Sequence, residues 1–329
     1  MSRPNVLITS AGRRVALVRA FRSALGGRGS VHAADATNLS AASLEADARH
    51  ICPRVDTPDF VPHMLKLCQS ENIGLVVPTI DTELPIWASA RETFELQGTQ
   101  VLVSDPRTIE ITGDKALTHD FFCRVGVPTV RQASADEVLS HLDEWKFPLI
   151  AKPRRGSSAE GLSYPAEPKD LMDLPQGHIV EELAEGQEYS MDVYLGLDGQ
   201  SAVVVPRARL ETRAGEVSKS VTRRLPDLDA LTRTLCDGLP GARGVLTVQA
   251  FYDDRVTPKV IRFIEVNARF GGGFPLTLAA GGDFPRWLVD ELNGKRDAIH
   301  EPWESDLLML RFDDALFQKN WPLQVRSGR

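Results

Sequence analysis

The chain has 329 residues, of which 42% are hydrophobic and 25% charged, and its formal net charge is −7. This composition is typical of a globular protein, and the length predicts two or three domains. The acidic balance argues against a nucleic-acid-binding protein, whose surface would be basic. No apolar run approaches the ~20 residues that span a bilayer, and the amino terminus lacks the apolar region of a signal peptide. We therefore expect a cytoplasmic protein that binds neither nucleic acid nor membrane.

The first part of the chain alternates short apolar runs with segments of helical periodicity, which predicts a parallel sheet. The predicted strands are Asn5 to Thr9, Val31 to Ala34 and Gly74 to Pro78, and the predicted helices are Arg13 to Leu25, Met64 to Ser70 and Leu84 to Phe94. Ligands bind at the carboxyl ends of such strands. Ser10 to Arg14, Asp35, Asp81 and Glu83 are therefore candidates for a small-molecule pocket, although Asp81 and Glu83 are equally well explained as caps of the next helix.

A second unit is predicted to begin at Gly113. The segment GDKALTHDFFCRVGVP has helical periodicity and closes with Gly126 and Pro128, two residues typical of a helix end. Most of the remaining chain is predicted to form antiparallel strands, with three helices among them. The strands are His178 to Glu182, Glu188 to Leu195, Ala202 to Arg209, Glu216 to Thr222, Val245 to Tyr252 and a run from Val260, and the helices are Leu228 to Leu239, Leu276 to Ala280 and Pro285 to Asn293.

A glycine-rich loop follows the predicted buried strand FPLIAK, which ends at Lys152. The spacing of Gly156 and Gly161 is that of a P-loop, but Leu162 and Ser163 stand where Lys and Ser or Thr are needed. The loop can still bring backbone N–H groups close to an anion, with Lys152 adding charge. An ordinary surface hairpin explains the same residues.

The pattern that carries most chemistry is a predicted hairpin, Val245 to Tyr252 followed by VIRFIEVNARFGGG. Side chains alternate along a strand, so Glu265 and Asn267 share one face. By the same rule Ile264 and Val266 point to the other face, into apolar packing. The hairpin thus predicts two oxygen ligands side by side.

A turn centred on Thr257 would place Gln249 directly opposite Glu265, because the two are equally distant from it. Gln249, Glu265 and Asn267 would then face one point, which suits Mg²⁺ or Mn²⁺ because hard cations prefer oxygen ligands. Arg269 would lie beside the metal as a charge for phosphate or for a developing oxyanion. The alternative is an ordinary half-buried strand with a polar end.

Together these segments resemble the ATP-grasp superfamily, most closely the short proteins that are similar to one synthetase half of the carbamoyl-phosphate synthase large subunit. Its N-terminal α/β domain is resembled by NVLITSAGRR and VPTIDTEL, and the first helix of its ATP-binding part by GDKALTHDFF. Its nucleotide strand and phosphate loop are resembled by FPLIAKPRRGSSAEG, and its hinge by IVEELAEGQEYSMDV. Its metal strand is resembled by FIEVNARFGGG. The implied fold is an α/β N-terminal domain with a parallel sheet, followed by a two-lobed α+β ATP-grasp fold. The implied domains are residues 1–112, a small lid subdomain at 113–182 and a large subdomain at 183–329.

The resemblance also implies a ligand set. ATP would be bound by Lys115, Lys152, Gly156, Ser157, Ser158, Gly161, Glu181, Glu182, Leu183 and Glu188. In this set the two lysines would hold phosphates, the glycine-rich loop would cover them, Glu181 and the Leu183 backbone would read adenine, and Glu188 would hold the ribose. Gln249, Glu265 and Asn267 would be the metal ligands. Gln249 departs from the acidic residue of many ATP-grasp enzymes, which implies weaker affinity for one of two metals.

The reaction implied by the family joins a carboxylic acid to an amine, with ATP first converting the acid to an acyl phosphate. Arg269 and the N–H groups near Gly272 would stabilise the oxyanion. Arg207 and Arg209 alternate on a predicted strand and would hold the substrate carboxylate, unless they form a solvated face. The implied partners are a small-molecule acid and amine, and a homodimer is left open. The chain is too short for carbamoyl phosphate synthesis, and a small-molecule kinase or a non-catalytic nucleotide-binding protein are the rival functions.

Overall fold

The computed structural model describes residues 4–156, 161–199, 203–213, 215–295 and 302–321. Its first domain alternates strands and helices, which are β1 (Asn5–Thr9), α1 (Val15–Leu25), β2 (Val31–Asp35), α2 (Ala41–Glu45), β3 (Ala48–Ile51), α3 (Phe60–Ser70), β4 (Ile73–Pro78), α4 (Leu84–Leu96), β5 (Gln100–Val101) and α5 (Pro106–Thr112). The strands form one parallel sheet in the order β3-β2-β1-β4-β5. The predicted parallel sheet is therefore confirmed, and the sequence prediction missed only short elements such as α2, β3 and β5.

A small antiparallel lobe follows. Its elements, with the helix that precedes them, are α6 (Lys115–Val125), β6 (Gln132–Ala133), α7 (Ala135–Ser140), β7 (Leu149–Pro153) and β8 (His178–Glu182), and the sheet order is β6-β8-β7. Helix α6 begins with the side chain of Asp114 accepting two backbone N–H groups and ends at Gly126, whose φ of 74° is easily reached only by glycine. The predicted helix and its end are confirmed.

The third part is a six-stranded antiparallel sheet flanked by helices. Its elements are β9 (Gln187–Gly196), β10 (Val203–Arg213), β11 (Glu216–Thr222), α8 (Pro226–Gly238), β12 (Gly244–Asp253), β13 (Val260–Asn267), α9 (Phe274–Ala279), α10 (Phe284–Leu292) and β14 (Leu308–Leu310). The order is β13-β12-β9-β10-β11-β14. The predicted succession of a parallel α/β domain and a two-lobed α+β unit is thus confirmed.

The apolar cores of the structure do not coincide with the predicted domains. The first domain and the six-stranded sheet share apolar cores, whereas the small lobe has a core of its own around Val138, Trp145 and Leu149. Phe121 and Phe122 of α6 belong to a shared core, so the lobe's own core begins after this helix. The proposed limits at residues 112 and 182 remain predictions. Among the helices of the described ranges, none is both long and apolar enough to cross a membrane.

Candidate active site

One large cleft, with a volume of about 440 Å³, runs between the small lobe and the six-stranded sheet. Its volume suits a small-molecule ligand. Ten of the predicted site residues line it: Lys115, Lys152, Gly156, Glu188, Arg207, Arg209, Gln249, Glu265, Asn267 and Arg269. Gly161, Glu181, Glu182 and Leu183 lie outside the lining, and Ser157 and Ser158 lie outside the described residues. The fold thus brings together most of the set that the sequence predicted.

The hairpin at the cleft floor pairs Gln249 opposite Glu265, as predicted. The pairing near the turn differs from the predicted one by one residue, with Asp253 opposite Val260. A bulge at the step from Gln249 to Ala250 then shifts the register by one residue, which brings Gln249 opposite Glu265. The bulge also turns Ile264 toward the cleft, which it lines together with Glu265. The prediction that Ile264 points into the core is therefore wrong.

The Gln249 amide lies between Glu265 and Arg209. In one orientation its nitrogen donates to Glu265 Oε2 at 2.7 Å and its oxygen accepts from Arg209 Nη1 at 3.0 Å. When the amide is rotated by 180°, its oxygen instead faces the Glu265 carboxylate. The Gln249 and Glu265 oxygens could then both bind one cation. Gln249 can therefore serve as an oxygen ligand only at the expense of its contact with Arg209.

Arg269, two residues after the end of β13, connects this strand to the first domain. Its Nη2 donates to Asp81 Oδ2 at 2.6 Å and to Asn267 Oδ1 at 3.3 Å. Asp81 lies just beyond the carboxyl end of β4, where the sheet topology predicted a ligand site. The Nε of Arg269 is buried and has no hydrogen-bond partner among the described residues. Asp81 thus orients a guanidinium that lines the cleft and keeps one buried donor unpaired among the described residues.

Two lysines face each other across the cleft from different elements. Lys115, the first residue of α6, donates from Nζ to the carbonyl of Gly156 at 2.8 Å. Burial lowers the pKa of Lys115, and the neighbouring Lys152 lowers it too, while Glu265 raises it. The site therefore holds a desolvated cation that gains from a bound anion.

Lys152, at the end of β7, is nearly buried and contacts Glu181 Oε2 at 2.6 Å. The other carboxylate oxygen of Glu181 accepts from the Gln132 side chain at 2.8 Å. Glu181 therefore uses its carboxylate to position Lys152. Its proposed part in reading adenine remains a prediction, as do those of Glu182 and of Leu183, which is exposed in the hinge between β8 and β9.

Asp114 ties the helix that carries Lys115 to the start of the glycine-rich loop. The Nε of Arg154 contacts its two carboxylate oxygens at 2.6 and 2.7 Å, and Arg155 contacts one of them at 3.3 Å. Burial opposes ionisation of Asp114, but Arg154 and backbone N–H groups outweigh it and lower its pKa. This carboxylate was missed from the sequence, although its position before a helix is a common capping signal.

Arg207 and Asp192 form a buried ion pair behind the glycines. Arg207 donates from Nε and Nη2 to the two oxygens of Asp192, at 2.8 and 2.9 Å, and both residues are at most 1% exposed. Thr247 and Thr277 donate to the same carboxylate at 3.2 and 2.5 Å. Because Asp192 already occupies the guanidinium fork, Arg207 cannot grip a substrate carboxylate bidentately in this conformation.

The remaining nitrogen of the Arg207 guanidinium, Nη1, is buried and has no hydrogen-bond partner among the described residues. It lies against Gly273, where an added Cβ would come within 2.2 Å of it. Only glycine leaves room for this guanidinium at that position. The triple glycine therefore lets the main chain approach the pair closely.

Arg209 follows on the same face of β10, as the alternation predicted. Its Nε lies 3.0 Å from Glu188 Oε1. Burial raises the pKa of Glu188, although Arg209 acts in the opposite direction. Apolar side chains also line this part of the cleft, namely Ile150 from β7 and Phe251 and Ile264 from the hairpin. They could enclose a flat ring, and nothing in the local sequence pattern indicated this.

The loop after β1 brings Arg14 to the cleft, whereas two other candidates are structural. Asp35 accepts the Gly12 N–H at 3.0 Å and so holds this loop. Glu83 is fully buried and accepts from Thr79 N, Ile80 N and Trp87 Nε1. Burial raises the pKa of Glu83, and these donors oppose the rise. Glu83 therefore follows the capping alternative. Arg14 lines the cleft, and Asp81 contacts Arg269 from outside its lining.

Family models and known proteins match most of the chain. A family model described as the PylC-like N-terminal domain matches residues 6–102, and one described as ATP-grasp in the biosynthetic pathway with Ter operon matches residues 175–314. A phosphoribosylamine–glycine ligase of Xanthomonas axonopodis pv. citri is 26% identical over 302 residues, which cover 80% of this chain and 67% of that protein. A carbamoyl-phosphate synthase of Methanobrevibacter smithii is 27% identical over 185 residues, which cover 54% of this chain and 48% of that protein.

Solved structures share the fold at low sequence identity. The biotin carboxylase domain of Hydrogenobacter thermophilus 2-oxoglutarate carboxylase, a dimer solved with MgADP, ADP and bicarbonate, has a TM-score of 0.74 and 17% identity over 94% of this chain and 74% of that one. The N5-carboxyaminoimidazole synthetase of Staphylococcus aureus, solved with ADP, has a TM-score of 0.72 and 14% identity over 92% and 79%. The matched models, the relatives and the shared fold together show that the chain has an ATP-grasp fold and is similar to ATP-grasp ligases.

Proposed function

We propose that the protein is an ATP- and Mg²⁺-dependent carboxylate–amine ligase that acts on small molecules through an acyl phosphate and releases ADP. The observation that carries this proposal is the convergence of Lys115, Lys152, Glu265, Asn267 and Arg269 on one cleft from separate elements. The curated relatives that form C–N bonds with ATP support the reaction class. The proposal leaves the acid and the amine unnamed.

The nucleotide would lie between the small lobe and the hairpin. Lys115 and Lys152 would hold its phosphates, and Glu188 would hold the ribose hydroxyls. Ile150 and Ile264 give the site apolar walls for a base. Gly156 begins the loop that would cover the phosphates, and its carbonyl already contacts Lys115. A desolvated lysine and apolar walls are what a purine nucleotide with its phosphates would require.

The cleft residues also fit a hard cation. Glu265, Asn267 and, after rotation of its amide, Gln249 offer oxygen ligands, and the described residues that line the cleft include neither histidine nor cysteine. Mg²⁺ suits such a set and usually keeps water and phosphate ligands as well. When bound, it would neutralise charge on the transferred phosphoryl group. The competing Arg209 contact of Gln249 supports weaker binding at one of two metal positions.

The carboxylate acceptor would lie near Arg269 and the glycines. Its oxygen attacks the terminal phosphorus of ATP, which gives an acyl phosphate and ADP. An amine then attacks the acyl carbon, the bond from that carbon to the phosphate oxygen breaks, and phosphate leaves. Arg269 would stabilise the tetrahedral oxyanion, together with the N–H of Gly272, which has no hydrogen-bond partner among the described residues.

ADP release from purified protein tests this proposal against its rivals. Amino acids, small carboxylic acids and their pairs are each incubated with ATP and Mg²⁺, and products are identified by mass. A ligase requires an acid and an amine together for full turnover. Turnover with one substrate and a stable phosphorylated product would establish a kinase instead. Nucleotide binding without any turnover would establish a binding protein.

A further inference from the structure

Arg14 is a cation at the junction of two cavities. It precedes α1, and its guanidinium donates no hydrogen bond to, and forms no ion pair with, any described residue. It lines both the large cleft and a smaller adjoining cavity. An added Cβ on Gly272 would lie 3.2 Å from its Nη1, so the guanidinium reaches the glycines where acyl transfer is proposed.

The surroundings of Arg14 favour an additional anion. Burial lowers its pKa, the nearby Arg269 lowers it further, and Glu216 and Asp81 oppose this. Both carboxylates already have other partners. Glu216 contacts Arg13 at 3.2 Å and Arg311 at 3.1 Å, and Asp81 contacts Arg269. A partly desolvated guanidinium is thus left for a ligand.

The adjoining cavity adds an apolar wall next to this charge. Its volume is about 50 Å³, and its apolar lining includes Leu17, Phe270, Phe274 and Leu278. This space accepts a group of a few carbon atoms but not a sugar phosphate. The cavity shares Arg14, Glu216, Gly271 and Gly272 with the large cleft. One ligand can therefore touch the charge, the cavity and the reaction centre together.

We propose that Arg14 and this cavity form the subsite of the amine substrate, and that this amine is an α-amino acid with a compact apolar side chain. The proposal rests on the ligase function above. The amino acid carboxylate would pair with Arg14, its side chain would enter the cavity, and its nitrogen would face Gly272. In its neutral form that nitrogen attacks the acyl carbon, phosphate leaves with the electron pair of the broken C–O bond, and the released proton passes to solvent.

A carboxylate fits this position better than a phosphate. One guanidinium matches one carboxylate in a bidentate pair, and the charge of a single carboxylate is balanced by Arg14 alone. A phosphate carries nearly two negative charges and would need a second cation, but Arg13 and Arg311, which line the same cavity, already contact Glu216. Phosphate is therefore the contrasting probe in the binding test.

Binding is measured by ligand-observed NMR titration of the full chain with L-valine, isobutylamine, 3-methylbutanoate and inorganic phosphate. L-valine and 3-methylbutanoate should bind the wild type, and isobutylamine, which lacks the carboxylate, should bind at least tenfold more weakly. Arg14→Gln should weaken L-valine binding by about 10- to 100-fold, the range expected for a lost charge-assisted contact. Arg28→Gln, an exposed arginine of the same domain, should leave it unchanged. Equal L-valine binding to wild type and Arg14→Gln, or tighter Arg14-dependent binding of phosphate, would overturn the subsite.

A cavity variant tests the side-chain part separately. Leu278→Phe should fill the cavity and shift binding by at least tenfold from L-valine toward glycine, whereas Leu278→Ala should shift it toward L-leucine. An unchanged order of affinities in both variants would refute the apolar subsite.

Turnover with hydroxylamine in place of the amine separates this inference from the proposed function. Hydroxylamine has no carboxylate, so Arg14→Gln should still form hydroxamate from the acid, and its KM for the amino acid should rise at least tenfold more than its KM for hydroxylamine. Hydroxamate formation with an unchanged amino acid KM would refute the subsite and keep the ligase. Arg14-dependent L-valine binding without ADP release for any acid would keep the subsite and refute the ligase.

Discussion

Replacing Asp192 with Asn tests the buried ion pair between Asp192 and Arg207 at the cleft. Asp192 receives two hydrogen bonds from Arg207 and one each from Thr247 and Thr277, and it is fully buried. An amide has nearly the same volume but no charge. The substitution therefore leaves the Arg207 charge buried without a counter-ion.

The expected cost follows from that burial. Breaking a buried ion pair by removing one partner costs about 3–5 kcal/mol. Each kcal/mol lowers Tm by roughly 2–4 °C in a protein of this general size. The melting temperature should therefore fall by roughly 10 °C. Asp229→Asn is the matched control, because Asp229 and Arg233 are also 2.7 Å apart but about a third exposed, where a pair contributes at most about 1 kcal/mol.

Differential scanning calorimetry measures both variants under identical conditions. Equal, small losses for Asp192→Asn and Asp229→Asn would refute the claim that burial makes the first pair critical. The double variant Asp192→Val/Arg207→Met then separates stability from function. Apolar residues of similar volume should recover most of the lost Tm, because a buried pair is often no more stable than such a replacement. Turnover should stay at least tenfold reduced, because Arg207 lines the cleft beside Gly273, and full turnover would show that Arg207 is only structural.

Three other substitutions address the cleft itself. Glu265→Gln should remove most Mg²⁺-dependent turnover at an unchanged Tm, because it removes the charged metal ligand, and normal turnover would exclude the metal assignment. Glu188→Ala should raise the KM for ATP more than it lowers kcat, because a ribose contact far from the reacting phosphorus stabilises ground and transition states alike; an unchanged KM would contradict the ribose role. Burial lowers the pKa of Lys115, so its charge is lost at a lower pH than that of an ordinary lysine near 10.4. The KM for ATP should therefore begin to rise below the pH at which an ordinary lysine titrates, and Lys115→Arg, which stays charged, should remove that rise; an identical pH profile would count against the lysine as a phosphate ligand.

Local patterns were enough to predict which side chains of the hairpin lie together. Alternation along an extended chain placed Glu265 and Asn267 on one face, and the symmetry of a hairpin placed Gln249 opposite Glu265. The bulge was not predictable, because an extra residue in one strand leaves the apolar pattern nearly unchanged. As a result Ile264 was assigned to the core although it lines the cleft.

Contacts between distant segments could not be read from the sequence. Arg207 was predicted to face the cleft, but its partner Asp192 comes from the neighbouring strand, and a third contact to that carboxylate comes from Thr277 on α9. The rule that ligands bind at the carboxyl ends of parallel strands made the loop before α1 a candidate ligand site. It did not single out Arg14, whose role depends on how the first domain packs against the glycines.

An oxygen-transfer experiment tests the central claim most directly. Once the screen has identified an acid and an amine, the acid is labelled with ¹⁸O in both carboxylate oxygens and converted to product with ATP and Mg²⁺. If the carboxylate attacks the terminal phosphorus and the amine then displaces phosphate, one labelled oxygen must appear in each inorganic phosphate released. Unlabelled phosphate, with the amide still formed, would contradict the acyl phosphate and with it the account of this cleft.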